Sequence, residues 1–228
     1  SLERRVEQTR KRATGKEKEA ILILPIMEKA LKLLQDGKPV RTMVPDLAAE
    51  DLRLLHMLNL LTSKPVLYVC NVDESEAATG NAHTEAVAAM AAGQHAEAVI
   101  ISAEIESQIA QLSPDEAAEF LSELGLDEPG LDRLIRAGYT LLDLITFFTA
   151  GEKEVRAWTV RRGAPAPVAA GEIHSDFEKH FIRAEVIPYA TYIELRGEAG
   201  AKAKGLMQVE GKEYIVEDGD VMHFRVGV

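Results

Sequence analysis

The chain has 228 residues, 46% hydrophobic, 28% charged and 5% aromatic, with a formal net charge of −11. That composition suits a folded protein of one large domain or two modest ones. It offers no run near the roughly 18–20 apolar residues of a membrane span, and no secretory leader is expected. One cysteine, Cys70, excludes an internal disulfide and a cysteine zinc cluster, so the expectation is a cytoplasmic protein that binds neither membrane nor DNA.

The charge is unevenly spread. Residues 1–18 carry seven Lys/Arg against three acids, whereas residues 37–143 carry six against 18, and ten of the twelve aromatics lie at or after Tyr139. Composition therefore breaks near 36 and near 140. Residues 2–13 read as a charged helix and Thr14-Gly15 as a turn. Ile23, Ile26, Met27, Ala30, Leu31 and Leu34 then form one apolar stripe of a second helix. Pro25 predicts a kink within it, and Asp36-Gly37-Lys38-Pro39 stops it. The two helices read as an antiparallel hairpin, either a projecting arm or a solvated pair.

A helix is expected near 46–60. The continuous apolar run Pro65–Cys70, ending at Asn71, predicts a strand buried on both faces of a parallel sheet. An Ala-rich helix over 82–92, a second buried strand over 98–101 and helices near 114–124 and 128–138 follow, with Ser113 and Glu116 at capping-box positions. This is α/β grammar, although two strands make an incomplete doubly wound sheet. Beyond 140 the pattern becomes α+β of β-grasp type. It has strands over 155–160, 182–187 and 221–226, a short helix over 175–181, and a hairpin over 207–216 turning at Glu210-Gly211. Ala164-Pro165-Ala166-Pro167 reads as a stiff loop.

Ligands of α/β sheets bind outside the carboxyl ends of strands. Asn71-Val72-Asp73-Glu74 and Ser102-Ala103-Glu104 both fall there. An Asn amide can read a purine's N7 and its 6-substituent, and a backbone N–H of a Ser-Ala turn can meet the ring from the other side. G-domains write this pairing NKxD and SAK. Here Glu74 replaces the Asp that accepts from guanine N1–H and its 2-amino group, and Val72 replaces the Lys. Glu is a methylene longer, so guanine should be held poorly and adenine could be preferred, because unpaired polar groups make discrimination steep. The plainer reading is a turn in which Asn71 caps the next element.

The order of these segments, with Lys64–Glu74, Ser102–Glu106, Gly130–Tyr139, Phe148–Thr159, Ala170–Val186 and Asp218–Arg225, resembles the YchF family, the Obg-like ATPases of the translation-factor class. The resemblance covers essentially the whole chain. It implies an ATP-preferring P-loop protein, with weaker GTP hydrolysis, built from a G-domain, an inserted coiled-coil arm and a C-terminal TGS domain of β-grasp fold. Residues 1–36 look like the arm, 37–138 like the C-terminal part of the G-domain, and 139–228 like the TGS domain. By that likeness Asn71, Val72 and Glu74 read the base, and Ser102 and Ala103 close over it. The intact protein is expected to use ATP and Mg²⁺.

No G-x-x-x-x-G-K-[ST] occurs in these residues. The expectation is therefore a C-terminal portion of a longer protein that binds no cofactor tightly and is inactive alone, because the catalytic electrostatics lie on the phosphate side. Six histidines form no ligand set, and Cys70 reads as an inert core thiol. Glu104 and Glu106 lack a matched partner for acid–base work. A ribosome or structured RNA is the expected partner, with the monomer favoured. Candidate phosphate contacts are Arg4, Arg5, Arg10, Lys11 and Arg12 of the arm, and Arg156, Arg161, Arg162, Lys179 and Arg183, which punctuate Trp158, Phe177 and Phe181. Those aromatics equally read as the core of a small domain. The alternative function is a non-enzymatic RNA- or ribosome-binding module with a vestigial nucleotide pocket.

Overall fold

Val6 and Thr9, spaced along one helical face with Leu2, are buried in α1 (Leu2–Thr14), and Ile26, Met27 and Ala30 of the expected stripe are buried in α2 (Lys18–Gln35), with Ile23, Leu31 and Leu34 partly buried beside them. A computed structural model describes residues 1–151 and 154–227; Glu152 and Lys153 of the family-like segment, and Val228, lie outside the described residues. The described chain divides into two compact units, Ser1–Leu141 and Leu142–Val228.

In the first unit α2 is one continuous helix that contains Pro25. The proline sits on the exposed face, where water can serve the carbonyl that loses its partner. The helix ends where Gly37 takes φ 70°, letting Gly37 and Lys38 donate to the carbonyls of Leu34 and Leu33. The apolar stripe of α1 and α2 packs on Val40 and Met43 of a 3₁₀ segment (Val40–Asp46) and on Leu55 and Leu58 of α3 (Ala49–Leu58). The helical layer thus continues past residue 36.

The strand β1 (Leu67–Asn71) is followed by α4 (Ala82–Ala92), whose Asn81 cap accepts from the His83 and Thr84 N–H groups. The strand β2 (Glu97–Ile101) then pairs parallel to β1, with Asn71 opposite Ile101. Next come α5 (Ala103–Ile109), α6 (Pro114–Glu123) and α7 (Gly130–Leu142). Glu116 accepts from both the N–H and Oγ of Ser113, as the capping spacing predicts. A small core of Ala77, Ile105, Leu121 and Leu126 lies beneath these helices.

No residue of β1 or β2 is fully buried, and Val69 is 48% exposed. The expectation of strands buried on both faces is corrected for the described residues, where each of the two strands has a single neighbour. Cys70 is half-buried rather than a core thiol.

The second unit is a mixed five-stranded sheet in the order β4-β3-β7-β5-β6. It opens with β3 (Leu144–Ala150) antiparallel to β4 (Val155–Arg161). Two helices, α8 (Ala166–Ile173) and α9 (Ser175–Lys179), lead to β5 (Phe181–Pro188). Short helices α10 (Tyr189–Glu194) and α11 (Glu198–Ala203) precede β6 (Gln208–Glu210), and β7 (Asp220–Val226) closes the sheet. Ile145 and Phe147, Ala184 and Val186, and Met222 and Phe224 alternate inward, the period of two expected of strands. Ala166, Ala169 and Ala170 of α8 meet them at i, i+3 and i+4, small enough for close packing.

Two expectations change here. The run Ala164–Pro167 starts α8, with Pro165 as its N-cap, instead of forming a loop. The expected 207–216 hairpin is not formed: β6 pairs antiparallel with β5, and Ile215 makes only an isolated bridge to Pro165. Phe181 belongs to the core, and Trp158 and Phe177 pack against it, in line with the plainer reading of those aromatics.

Candidate functional site

Parallel pairing of β1 and β2 brings their carboxyl ends side by side, so segments 32 residues apart share one edge. Asn71 Oδ1 accepts the Ala103 N–H at 2.9 Å, and the Val72 N–H donates to the Ile101 carbonyl at 2.9 Å. Asn71 therefore ties the two strand ends together, rather than capping the element that follows it. An open cavity of about 590 Å³ lies over this edge, lined by Asn71, Val72, Asp73, Glu74, Ser75, Ala103 and Glu104.

Four of the five expected base-reading residues, Asn71, Val72, Glu74 and Ala103, line this one cavity. The fifth, Ser102, is 98% buried beneath it, and its Oγ has no hydrogen-bond partner among the described residues. Three carboxylates, Asp73, Glu74 and Glu104, face the opening. They suit the neutral polar edge of a base and repel a phosphate. Nothing in this residue set resembles a Mg²⁺–phosphate cradle.

Sequence reasoning missed Gln108. Its Nε2 donates to Glu74 Oε1 at 2.6 Å and lies 3.4 Å from Glu104 Oε1. The one available signal was its place four residues after Glu104. Glu106 finds a structural partner instead of a catalytic one: it accepts the Gly130 N–H at 2.7 Å, and Arg133 donates to the Ile100 carbonyl at 3.1 Å. These two bonds fasten α5 and α7 to β2. A Cβ at position 130 would lie 2.9 Å from that Glu106 oxygen, so a side chain there would make the Glu106 carboxylate shift.

Most of the basic candidates are already partnered within their own unit. On the helix pair Arg10 pairs with Glu28, Arg12 with Glu17, and Arg5 donates to the Leu58 carbonyl at 3.0 Å. The Arg12 and Glu17 charges stabilise one another, raising the guanidinium pKa and lowering the carboxyl's. In the second unit Arg156 stacks on Trp158 at 4.1 Å, Arg162 meets Asp143, Lys179 meets Asp176, and Arg183 lies 3.9 Å from Glu185. Arg4, Lys11 and Arg161 are exposed and have no ion-pair partner among the described residues. Exposed pairs of this kind are weak and exchange readily for other anions.

Potential metal ligands approach one another at Glu185, Glu198 and His223. Arg225 binds both oxygens of Glu185, at 3.3 and 2.9 Å, and holds its carboxyl below the usual range, so the charge is already matched. Among the described residues no helix is long and apolar enough to cross a membrane.

The chain is thus a mixed α/β protein with a parallel strand pair in one unit and a mixed sheet in the other. Comparison with known proteins places it further. Residues 144–227 match the family YchF-GTPase_C, described as a protein of unknown function (DUF933). The ribosome-binding ATPase YchF of Haemophilus influenzae is 51% identical over 228 residues, covering 100% of this chain and 62% of that protein. The Bacillus subtilis protein of the same name is 47% identical over 230 residues, with the same shares covered. Among solved structures, the Schizosaccharomyces pombe YchF GTPase superposes with a TM-score of 0.82 at 31% identity, over 98% of this chain and 61% of that one. Residues 144–227 thus carry a YchF-GTPase_C domain, and the whole chain is similar to YchF proteins. It spans a little over three-fifths of the length of the relatives it matches.

Proposed function

We propose that this chain is part of an ATP-preferring, ribosome-associated nucleotidase, and that it supplies the purine-reading edge and the docking elements. The observation that carries this reading is the convergence of Asn71, Val72, Glu74 and Ala103 on one cavity at the carboxyl ends of β1 and β2. Asn71 is the purine-facing amide through its Nδ2, its Oδ1 holding the Ala103 N–H, and Glu74 is the residue that disfavours guanine. The relatives, which are named as ribosome-binding ATPases, support the ribosome and ATP as partner and substrate of the intact protein. In this reading α1 and α2 form the coiled-coil arm, the second unit is the TGS domain, and the protein works in the cytoplasm. Phosphate and Mg²⁺ are held by residues that this chain does not contain.

The test is an NMR titration of the chain with ATP and with GTP, each with Mg²⁺. ATP is expected to shift the amides of Asn71, Val72, Glu74 and Ala103 with a Kd of about 1 mM or weaker, since a base alone contributes only a few kcal/mol. Micromolar ATP binding would mean that this chain also holds the phosphates and would overturn that assignment. Absence of any shift at these residues up to about 10 mM would overturn the base reading. The free cations Arg4, Lys11 and Arg161 favour a second reading, docking that is independent of nucleotide. Ribosome co-sedimentation unchanged by ATP would select it.

A further inference from the structure

Glu74 decides between purines only if its carboxylate is kept from the base. Left free, a Glu side chain samples many rotamers and offers both oxygens to the N1–H and 2-amino donors of a guanine lying in the cavity. The structure removes that freedom. Gln108, one and a half turns into α5, donates its amide to Glu74 Oε1 at 2.6 Å, and the same nitrogen faces Glu104 Oε1 at 3.4 Å. Two carboxylates around one atom fix which end of the amide is the NH₂ group, because the carbonyl oxygen would be repelled by both.

The backbone reinforces this restraint. The Ala103 N–H at the start of α5 is bonded to Asn71, and Glu106 on the same helix is bonded to Gly130. Ile105 of α5 is buried in the small core with Ala77, which follows the Glu74 turn. Gln108 therefore projects from a helix anchored at three points, and it can hold Glu74 in one place.

We propose that Gln108 is a specificity-determining residue of the nucleotide site, a positioning residue that acts through Glu74. By drawing the Glu74 carboxylate toward α5 it denies guanine its acceptor and leaves adenine N1, itself an acceptor, unopposed. The inference rests on the base reading above and names what makes that reading selective. It also predicts that a cationic side chain at 108 preserves selectivity, because it too would hold Glu74, whereas an apolar one loses it.

The test compares the chain with its Gln108→Leu and Gln108→Lys variants in NMR titrations with ATP and GTP. The readout is the ratio of the two dissociation constants, in which phosphate contributions cancel. Gln108→Leu is expected to lower the preference for ATP by about fivefold or more, chiefly by tightening GTP, and Gln108→Lys to keep it within about twofold of the parent. Both substitutions sit on a partly exposed helix face, and unchanged amide spectra of the first unit away from α5 confirm folding. An unchanged ratio in Gln108→Leu, with ATP still shifting Asn71 and Ala103, would overturn the role of Gln108 and leave the base reading standing. No shift at Asn71 and Ala103 in the parent chain would overturn the base reading and the inference with it.

Discussion

The two sheets of this chain both use strands with apolar runs, yet they are held by different means. In the second unit β5 alone buries five residues, and a core of Ile145, Phe147, Ala184, Val186, Met222 and Phe224 lies between the sheet and α8. In the first unit β1 and β2 bury none, and the cores lie under the helices on either side of the pair. A strand flanked on both edges and covered on a face gains from the hydrophobic effect along its whole length, whereas an isolated pair gains little. The cavity edge is therefore organised by polar bonds that span the pair, Asn71 to Ala103 and Glu74 to Gln108, with Glu106 to Gly130 joining α5 to α7 beside it. Packing sets the stability of one unit, and hydrogen bonding sets the geometry of the other's site.

The largest test of that contrast is a pair of truncations. Phe147→Ala, at a fully buried position, should destabilise the second unit by about 3–5 kcal/mol. Val69→Ala, at a position 48% exposed, should cost the first unit less than about 1 kcal/mol. Denaturant unfolding followed by Trp158 fluorescence reads the second unit, since that is the chain's one tryptophan, and hydrogen exchange at β1 reads the first. Equal losses would break the comparison.

A smaller effect separates two neighbouring arginines that the sequence presented as equivalent. Arg5 bonds the Leu58 carbonyl at the end of α3, while Arg4 is exposed with no ion-pair partner among the described residues. Arg5→Ala should cost the helical layer about 1–2 kcal/mol through a lost charge-assisted bond. Arg4→Ala should cost almost nothing in stability and reduce ribosome or RNA co-sedimentation at low salt. If both variants melt alike, the Arg5 bond is not structural.

Much of this was legible in the sequence, for local reasons. The α2 stripe, the Asp36-Gly37 stop, β1 and β2, the Ser113–Glu116 cap and the sites of Asn71 and Glu74 follow from periodicity, turn chemistry and position at strand ends. What escaped depended on distant partners. Gln108 matters because of Glu74, 34 residues away. Met207–Val216 resembles a hairpin because its turn signal is local, but β5 already offers an edge to Gln208–Glu210, and only Ile215 of the second arm bridges to another segment. The apolar runs of β1 and β2 identified strands correctly, yet a run of this kind reports what can be buried, not what is. Ser102 matched a motif and proved to lie under the cavity instead of lining it.

The smallest expected effect contrasts carboxylates in the two units. Those at the cavity, Asp73, Glu74 and Glu104, are exposed, whereas Asp220 at the start of β7 is 97% buried. Burial pushes its pKa up, against the opposing pull of the Glu217 N–H at 2.9 Å and the Tyr214 hydroxyl at 2.8 Å. A group whose folded pKa is raised contributes stability fully present below its unfolded value and lost as pH rises through the folded one. Glu185, lowered by Arg225, does the reverse: its contribution is present above the unfolded carboxylate value and is lost as pH falls through its folded one. Both hydrogen bonds to Asp220 end on the same oxygen, so Asn in its place can keep them through its carbonyl. Asp220→Asn should therefore leave the second unit equally or slightly more stable at neutral pH. It should also remove the gain that the parent chain shows as pH falls from neutral toward the ordinary carboxylate range. Trp158-monitored melts across that range check it, and a parent chain that loses stability there at the same rate as the variant would mean that the Asp220 charge is not held at a cost.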